Sequence, residues 1–370
     1  MNQREEKGKI IAEKNDQIKR IDSNHYKVKS QSSNNEYDII STESGFSCSC
    51  PDHQFRKICC KHIHSVEISL QIRQKVEQQI TTINPINTDC CTQCQSDKIK
   101  KIGIRHNKNY DIQMYRCKNC NKKFSMNLGF ERLKATPESV TASMNLYFNG
   151  ESLRHVADSM KLFGVKVTHK TIENWIKKYV KLMDKYLEQI TPQVSDTWRT
   201  DEIYLKIKGN RKYLYAMMDD QTRLWIATQV STNKYTEDVR PLFRKSQEVT
   251  GKKPKTLISD GARNFAEAHK KEFRTLAKPH SIHVSHIHLK GDYNNNKMER
   301  LNGEIRDREK VMRGLKKEDS PIITGMRIHH NFIRNHMGLD GKTPSEACGI
   351  KIEGNNKWIT LIQNAKKSIP

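Results

Sequence analysis

The spacing of the cysteines constrains this chain more than any other feature. Nine of its ten cysteines lie before residue 121, and only Cys348 is distant. Three pairs are close: Cys48-x-Cys50, Cys91-x2-Cys94 and Cys117-x2-Cys120. Scattered buried thiols would not pair in this way. The N-terminus, MNQREEKGKIIAEKND, lacks the apolar core of a secretory signal. Without that signal the pairs point to metal before disulfides. Zinc takes four soft or borderline ligands in a tetrahedron, and short cysteine pairs on tight turns supply two at a time.

Cys91, Cys94, Cys117 and Cys120 frame a segment, KIKKIGIRHNKNYDIQMYR, that alternates like a hairpin. Two pairs around a hairpin predict a zinc ribbon, with Cys90 an alternative to Cys91. Upstream, Cys48-x-Cys50, nine residues and Cys60-x-His62 precede a helical stretch, HSVEISLQIRQKVEQQI. This arrangement resembles a SWIM zinc finger. Cys59, His53 and His64 lie close enough to leave its register open. Four protein ligands close each shell and leave no position for an activated water, so two structural Zn²⁺ ions are expected.

At 370 residues the chain exceeds one ordinary core. Lys and Arg number 66 against 42 Asp and Glu, a net charge of +24. That excess points to a polyanion, nucleic acid first. Mean hydropathy is −0.83, and no run approaches the 18 or so apolar residues of a spanning helix. The basic residues are spread along the whole chain and not gathered on one amphipathic helix, which argues against a membrane surface. The expected organisation is a polar tail over 1–24, the SWIM-like finger over 25–80 and the ribbon over 86–130. A helical domain follows over 134–190, an α/β domain over 195–350 and a C-terminal tail over 351–370.

Three helices are expected in the helical domain. Thr136-Pro137 is a helix start, and Asn149-Gly150 a stop. A second helix covers about 152–160, and Thr168 caps a third that carries Ile172, Trp175, Ile176, Tyr179 and Met183 at helical spacing. The pattern resembles a helix-turn-helix. His169, Lys170, Asn174 and Lys177 would then face DNA. The plainer reading is a three-helix bundle with a solvated basic face.

From residue 196 the period changes to three strands, then alternating helices and strands, an α/β order. Three acids stand in suggestive places there. Asp201 lies in the first strand, Asp260 ends the strand KTLISD, and Glu299 opens a long helix over about 297–317. Divalent cations for phosphoryl transfer need hard oxygen ligands on rigid elements. Asp219-Asp220 reads as a hairpin turn, and strand alternation sends Glu202 to the opposite face from Asp201. His280, His283, His286 and His288 could orient water or phosphate or shuttle protons, but the plainer reading, alternating residues on a strand and its surface, is preferred.

TDEIYLKIKG, LISDG, NNNKMERLNGEIRDREKVMRGL and NFIRNHMGLDGKTPSEACGI resemble the catalytic domain of prokaryotic insertion-sequence transposases of the DDE type. The resemblance spans about residues 136–350 and implies a ribonuclease H-like fold. It implies that Asp201, Asp260 and Glu299 are catalytic and hold two Mg²⁺ or Mn²⁺ ions. It assigns Arg300, Arg306, Lys310 and Arg313 to DNA, and Asn302 to a flanking position. The implied activity is cleavage at element ends and strand transfer into target DNA. The implied partners are double-stranded terminal repeats, target DNA and further copies of the chain in a dimer or larger assembly. A cytoplasmic, nucleoid-associated location is expected. The alternatives are a regulator without catalytic activity and a nuclease of the same fold that does not join strands.

Overall fold

The computed structural model describes every residue except 1–2, 14–16, 22–23, 32, 34, 43–44, 78–79, 87–89, 107–110, 126, 275–279, 286–294, 313–314, 316–319 and 370. The described residues of 1–80 and those of 81–370 form two compact units.

The first unit runs α1 (Gln3–Glu13), β1 (Ile18–Arg20), β2 (His25–Lys29), β3 (Glu36–Thr42), β4 (Gly45–Cys48), α2 (Pro51–Arg56) and α3 (Lys61–Glu77). Its four strands form an antiparallel sheet in chain order. Tyr26 and Val28, two apart, share one face, and Ile63 and Val66, three apart, share one side of α3. They meet Ile39, Ile11 and the sulfurs of Cys48, Cys50 and Cys60 in one small core. The expected N-terminal tail is therefore partly helix α1, pinned by fully buried Ile11. Gly8 lets α1 pass close over α3, because a Cβ there would lie 2.7 Å from the Cβ of His64.

The second unit opens with β5 (Thr81–Ile83), then β6 (Ile99–His106), β7 (Asp111–Cys117) and β8 (Lys123–Ser125). The last three form an antiparallel sheet. Helices α4 (Pro137–Phe148), α5 (Leu153–Leu162) and α6 (His169–Leu187) follow. Thr136, Ser152 and Thr168 cap them, each accepting from the backbone N–H three residues on.

Next come β9 (Thr197–Ile207), β10 (Asn210–Asp219), β11 (Trp225–Ser231), α7 (Thr236–Thr250), β12 (Thr256–Ser259), α8 (Arg263–Glu272), β13 (Ile282–Ser285) and α9 (Asn296–Met312). The sheet order is β11-β10-β9-β12-β13. β9 to β11 are antiparallel, whereas β12 runs parallel to β9 and to β13. Period-two alternation sorts the apolar residues of this sheet. Trp198, Tyr215 and Met217 join the core with Val239, Phe243 and Phe265 of α7 and α8. Ile203, Leu205 and Ile207 pack with Met298, Leu301 and Ile305 of α9.

The unit closes with α10 (Pro321–Ile328), α11 (Pro344–Ala347), β14 (Ile350–Ile352) and α12 (Lys357–Lys367). Two expectations are corrected here. Residues 351–370 are not a tail: β14 pairs in parallel with β5, and α12 buries Trp358, Leu361, Ile362 and Ala365 at helical spacing. Leu315 has left α9, and its backbone pairs with Lys206 and Lys208 at the end of β9. Among the described residues no helix is long and apolar enough to cross a membrane.

Candidate active site

The carboxylates meet where strand pairing stops. β12 pairs with β9 only as far as Ile258 opposite Arg199. Continuing that parallel register places Asp260 beside Asp201, two residues further along each strand. Gly261 then takes a φ of +87°, a conformation that favours glycine, and the chain turns toward α8. Asp260 is left exposed at the turn, its Oδ1 accepting from the Ala262 N–H at 3.0 Å.

Carboxylate oxygens of Asp201, Glu202 and Asp260 all lie within 4.8 Å of one another. Alternation does turn Glu202 to the far face, where it pairs with Lys234. At this free strand edge, however, its carboxylate still reaches the other two. Strand period alone misses that.

On the α9 face, Asn302 donates to Asp201 Oδ2 at 2.7 Å. This contact follows from packing: Leu301 and Ile305 seat α9 against the face of β9 that carries Ile203 and Leu205. Asp201 is on that same face. Glu299 lies one helical turn before Asn302, is exposed, and is outside the close carboxylate group. Asp201 and Asp260 are thus brought together, with Glu299 on the flank of α9 that reaches Asp201.

Burial first, and then the charges of Asp260 and Glu202, push the Asp201 carboxyl up to about 7. The Glu202 N–H and Asn302 act the other way. Glu202 Oε2 and Asn302 Oδ1 are buried without a hydrogen-bond partner. Crowded carboxylates with orphaned oxygens are the donor set a hard divalent cation satisfies.

Sequence reasoning also missed a buried ion network behind the site. Asp220 pairs with Arg199 and, at 3.0 Å, with Lys297. Burial raises the Asp220 carboxyl, but Lys297 and Arg199 outweigh it and hold the group below its ordinary range. Arg199 is two residues before Asp201 on the same face, and Lys297 opens α9. The network therefore ties β9, the hairpin turn and α9 together. Asp219 serves the turn itself, accepting from Ser195 and Thr222. The signal was available: a charge at position 199, between apolar strand residues, needs a buried partner.

Of the histidines, His283 lies 2.8 Å from Ser259 Oγ, while His286 and His288 lie outside the described residues. His169, Lys170, Asn174 and Lys177 are all exposed on α6. Glu173 sits among them and pairs with both Lys170 and Lys177, and Lys170 first pulls its carboxyl down to about 2. Arg300, Arg306 and Lys310 are exposed on α9; Arg313 lies outside the described residues. At the back of α9, the Arg308 guanidinium sits 3.7 Å above the ring of Tyr147 and donates to the Glu151 carbonyl.

Both cysteine sets also converge. Cys91, Cys94, Cys117 and Cys120 form one group. Cys91 Sγ is 3.6 Å from Cys120 Sγ, and Cys94 Sγ is 3.5 Å from Cys117 Sγ. Tetrahedral zinc would space two sulfurs about 3.8 Å apart. The Cys120 N–H, first among several groups, draws the Cys117 thiol down to about 6. In the first unit Cys48, Cys50, Cys60 and His62 gather, all buried. His62 Nδ1 lies 4.0 Å from both Cys48 Sγ and Cys60 Sγ.

Residues 195–336 match the DDE domain family of IS240 type. This segment is similar to a DDE domain. It contains the strands and helix that carry Asp201, Asp260 and Glu299. Two relatives extend the match. The transposase for insertion sequence-like element IS431mec of Staphylococcus aureus is 25% identical over 141 residues, covering 37% of this chain and 61% of the relative. An uncharacterized 48.3 kDa protein of insertion element ISM1 from Methanobrevibacter smithii is 25% identical over 181 residues, covering 45% and 43%. The chain thus spans 61% of the length of the first of these curated relatives. The HTLV-2 integrase catalytic core domain in complex with magnesium is 18% identical, with a TM-score of 0.30, covering 43% of this chain and 98% of that one.

Proposed function

We propose that this chain is a DNA transposase that cuts element ends and joins them to target DNA through Asp201, Asp260 and Glu299. The observation that carries this reading is the convergence of Asp201 and Asp260 in a DDE domain, with Asn302 linking Asp201 to the helix that bears Glu299. Water attacks a phosphodiester at an element end and releases a 3′-hydroxyl. That hydroxyl then attacks a target phosphodiester and displaces a second 3′-hydroxyl. Each step exchanges one P–O bond for another, so no covalent protein–DNA intermediate is needed.

Asp201, Asp260 and Glu299 are the residues proposed to hold Mg²⁺ or Mn²⁺, two ions in the full complex, with Glu202 close enough to contribute. A divalent ion held there would lower the pKa of water and neutralise charge on the phosphate. Asn302 holds the Asp201 carboxylate in place, and the Arg199–Asp220–Lys297 network sets β9 against α9. Arg300, Arg306, Lys310 and Arg313 are proposed to track the phosphate backbone. The three helices α4 to α6 are proposed to act as a helix-turn-helix on terminal repeats, through His169, Lys170, Asn174 and Lys177. Two zinc ions, at the Cys48 and Cys91 sets, would supply folding energy where the local apolar clusters are small. Pairing of two element ends calls for a dimer or larger assembly.

The test mixes purified protein with DNA bearing its own element's ends, with Mg²⁺ or with EDTA, for wild type and Glu299→Gln. Metal-dependent nicking and joined products from wild type alone support the reading. Equal binding by both proteins with cutting by neither would overturn it in favour of a DNA-binding regulator. Cutting without joining would favour a nuclease.

A further inference from the structure

A fourth group of side chains able to ligate a metal, beside the two cysteine sets and the carboxylates, lies in the first unit. Cys59, His64 and Glu67 each bring one ligand atom within 4.8 Å of the others. His64 Nδ1 is 3.8 Å from Cys59 Sγ and 3.4 Å from Glu67 Oε2. One imidazole nitrogen thus faces both a thiol and a carboxylate. It can donate one proton or offer one lone pair, so hydrogen bonding cannot serve both neighbours. A cation on that lone pair would serve all three groups.

The spacing suits zinc. Bond lengths of about 2.3 Å to sulfur and about 2.0–2.1 Å to nitrogen or oxygen, at tetrahedral angles, separate sulfur from nitrogen by about 3.6 Å and nitrogen from oxygen by about 3.4 Å. Thiolate, imidazole and carboxylate together favour zinc over magnesium. The charges also balance, since a thiolate and a carboxylate neutralise a divalent ion.

This group is separate from the buried set. His62 and His64 are two residues apart on α3, so they project from nearly opposite sides of its first turn. Cys59 and Cys60 likewise alternate. Cys60 and His62 are buried, whereas Cys59 is exposed and His64 and Glu67 are half-buried. Glu67, three residues after His64, returns to the same side of the helix. The backbone beneath is held by α1, which crosses against His64 at Gly8.

We propose that Cys59, His64 and Glu67 form an additional zinc site, with three protein ligands and a fourth position open to water. The closed Cys48, Cys50, Cys60 and His62 set has no such opening, so the two ions differ in lability. The ion at Cys59 exchanges with a mild chelator while the buried one is retained.

The test counts zinc in the full chain by mass spectrometry after saturation with zinc and removal of the excess. Cys59→Ser is expected to bind one ion fewer than wild type with unchanged circular dichroism. Glu67→Gln is expected to keep the ion at least tenfold more weakly in a chelator titration. Cys60→Ser, a separate control, loses the buried ion. Equal zinc content in wild type and Cys59→Ser overturns the proposal, whatever the total. So does a wild-type titration in which no ion leaves ahead of the buried one.

Discussion

Replacing Asp220 by Asn tests whether the network behind the carboxylates holds the second unit together. The side chains of Arg199 and Asp220 are only 3% and 4% exposed. Removing one partner of a buried pair leaves the other charge desolvated, at a cost of about 3–5 kcal/mol. Asn keeps an acceptor oxygen, and Lys297 keeps its 2.9 Å bond to the Asp220 carbonyl, so the lower end, about 3 kcal/mol, is expected. With a urea slope of about 3 kcal/mol/M for a unit of this size, the midpoint moves down by roughly 1 M. The assay is favourable because Trp175, Trp198, Trp225 and Trp358 all lie in the second unit and are buried. Tryptophan fluorescence therefore reports that unit alone. A midpoint shift below about 0.3 M would refute the argument that this pair bears on stability.

Three further outcomes follow from the same reasoning. Asp201 is raised to about 7, so the folded chain keeps a proton that the unfolded chain has lost; metal-free stability should fall as pH rises from about 4 toward 7. Thermal unfolding at pH 5.5 and 8 would measure this, and Asp201→Asn should flatten the difference, as should saturating Mg²⁺ above pH 7. Leu361→Ala, at a fully buried position of α12, should cost about 2–5 kcal/mol; a neutral result in urea unfolding would mean α12 is not part of the core. Glu173→Gln frees Lys170 and Lys177 from their shared carboxylate, so it should tighten DNA binding and steepen its salt dependence. Titrations at several salt concentrations that show weaker binding would count against α6 as a DNA-facing helix.

Local signals in the sequence carried far, and non-local ones did not. Thr136, Ser152 and Thr168 announce their helices because an N-cap is a contact within four residues. The alternation of 198–207 is likewise local, and it places Asp201 on the face that meets α9. The β5–β14 pairing joins residues 81–83 to 350–352, and nothing in either triplet encodes the other. Glu202 was obscure for a related reason: alternation describes a strand with neighbours on both sides, and β9 lacks one beyond Arg199. The Arg199–Asp220–Lys297 network spans three distant segments. Only the oddity of a charge within a strand hints at it. Helix α1 hides because one apolar residue, Ile11, does most of its anchoring amid charged neighbours.

The β5–β14 pairing also sets a clock on synthesis. About 270 residues separate the two strands, and a ribosome adding roughly 5–20 residues per second needs about 15–50 s to supply the second after the first. The cysteine-rich segment 48–62 emerges before that interval begins. The segment at 81–83 waits without its partner while the three helices and the central sheet are still being made. Its exposed edge in that interval is open to mispairing. A nascent chain paused before residue 350 would hold every strand of the central sheet yet lack the partner that β5 requires.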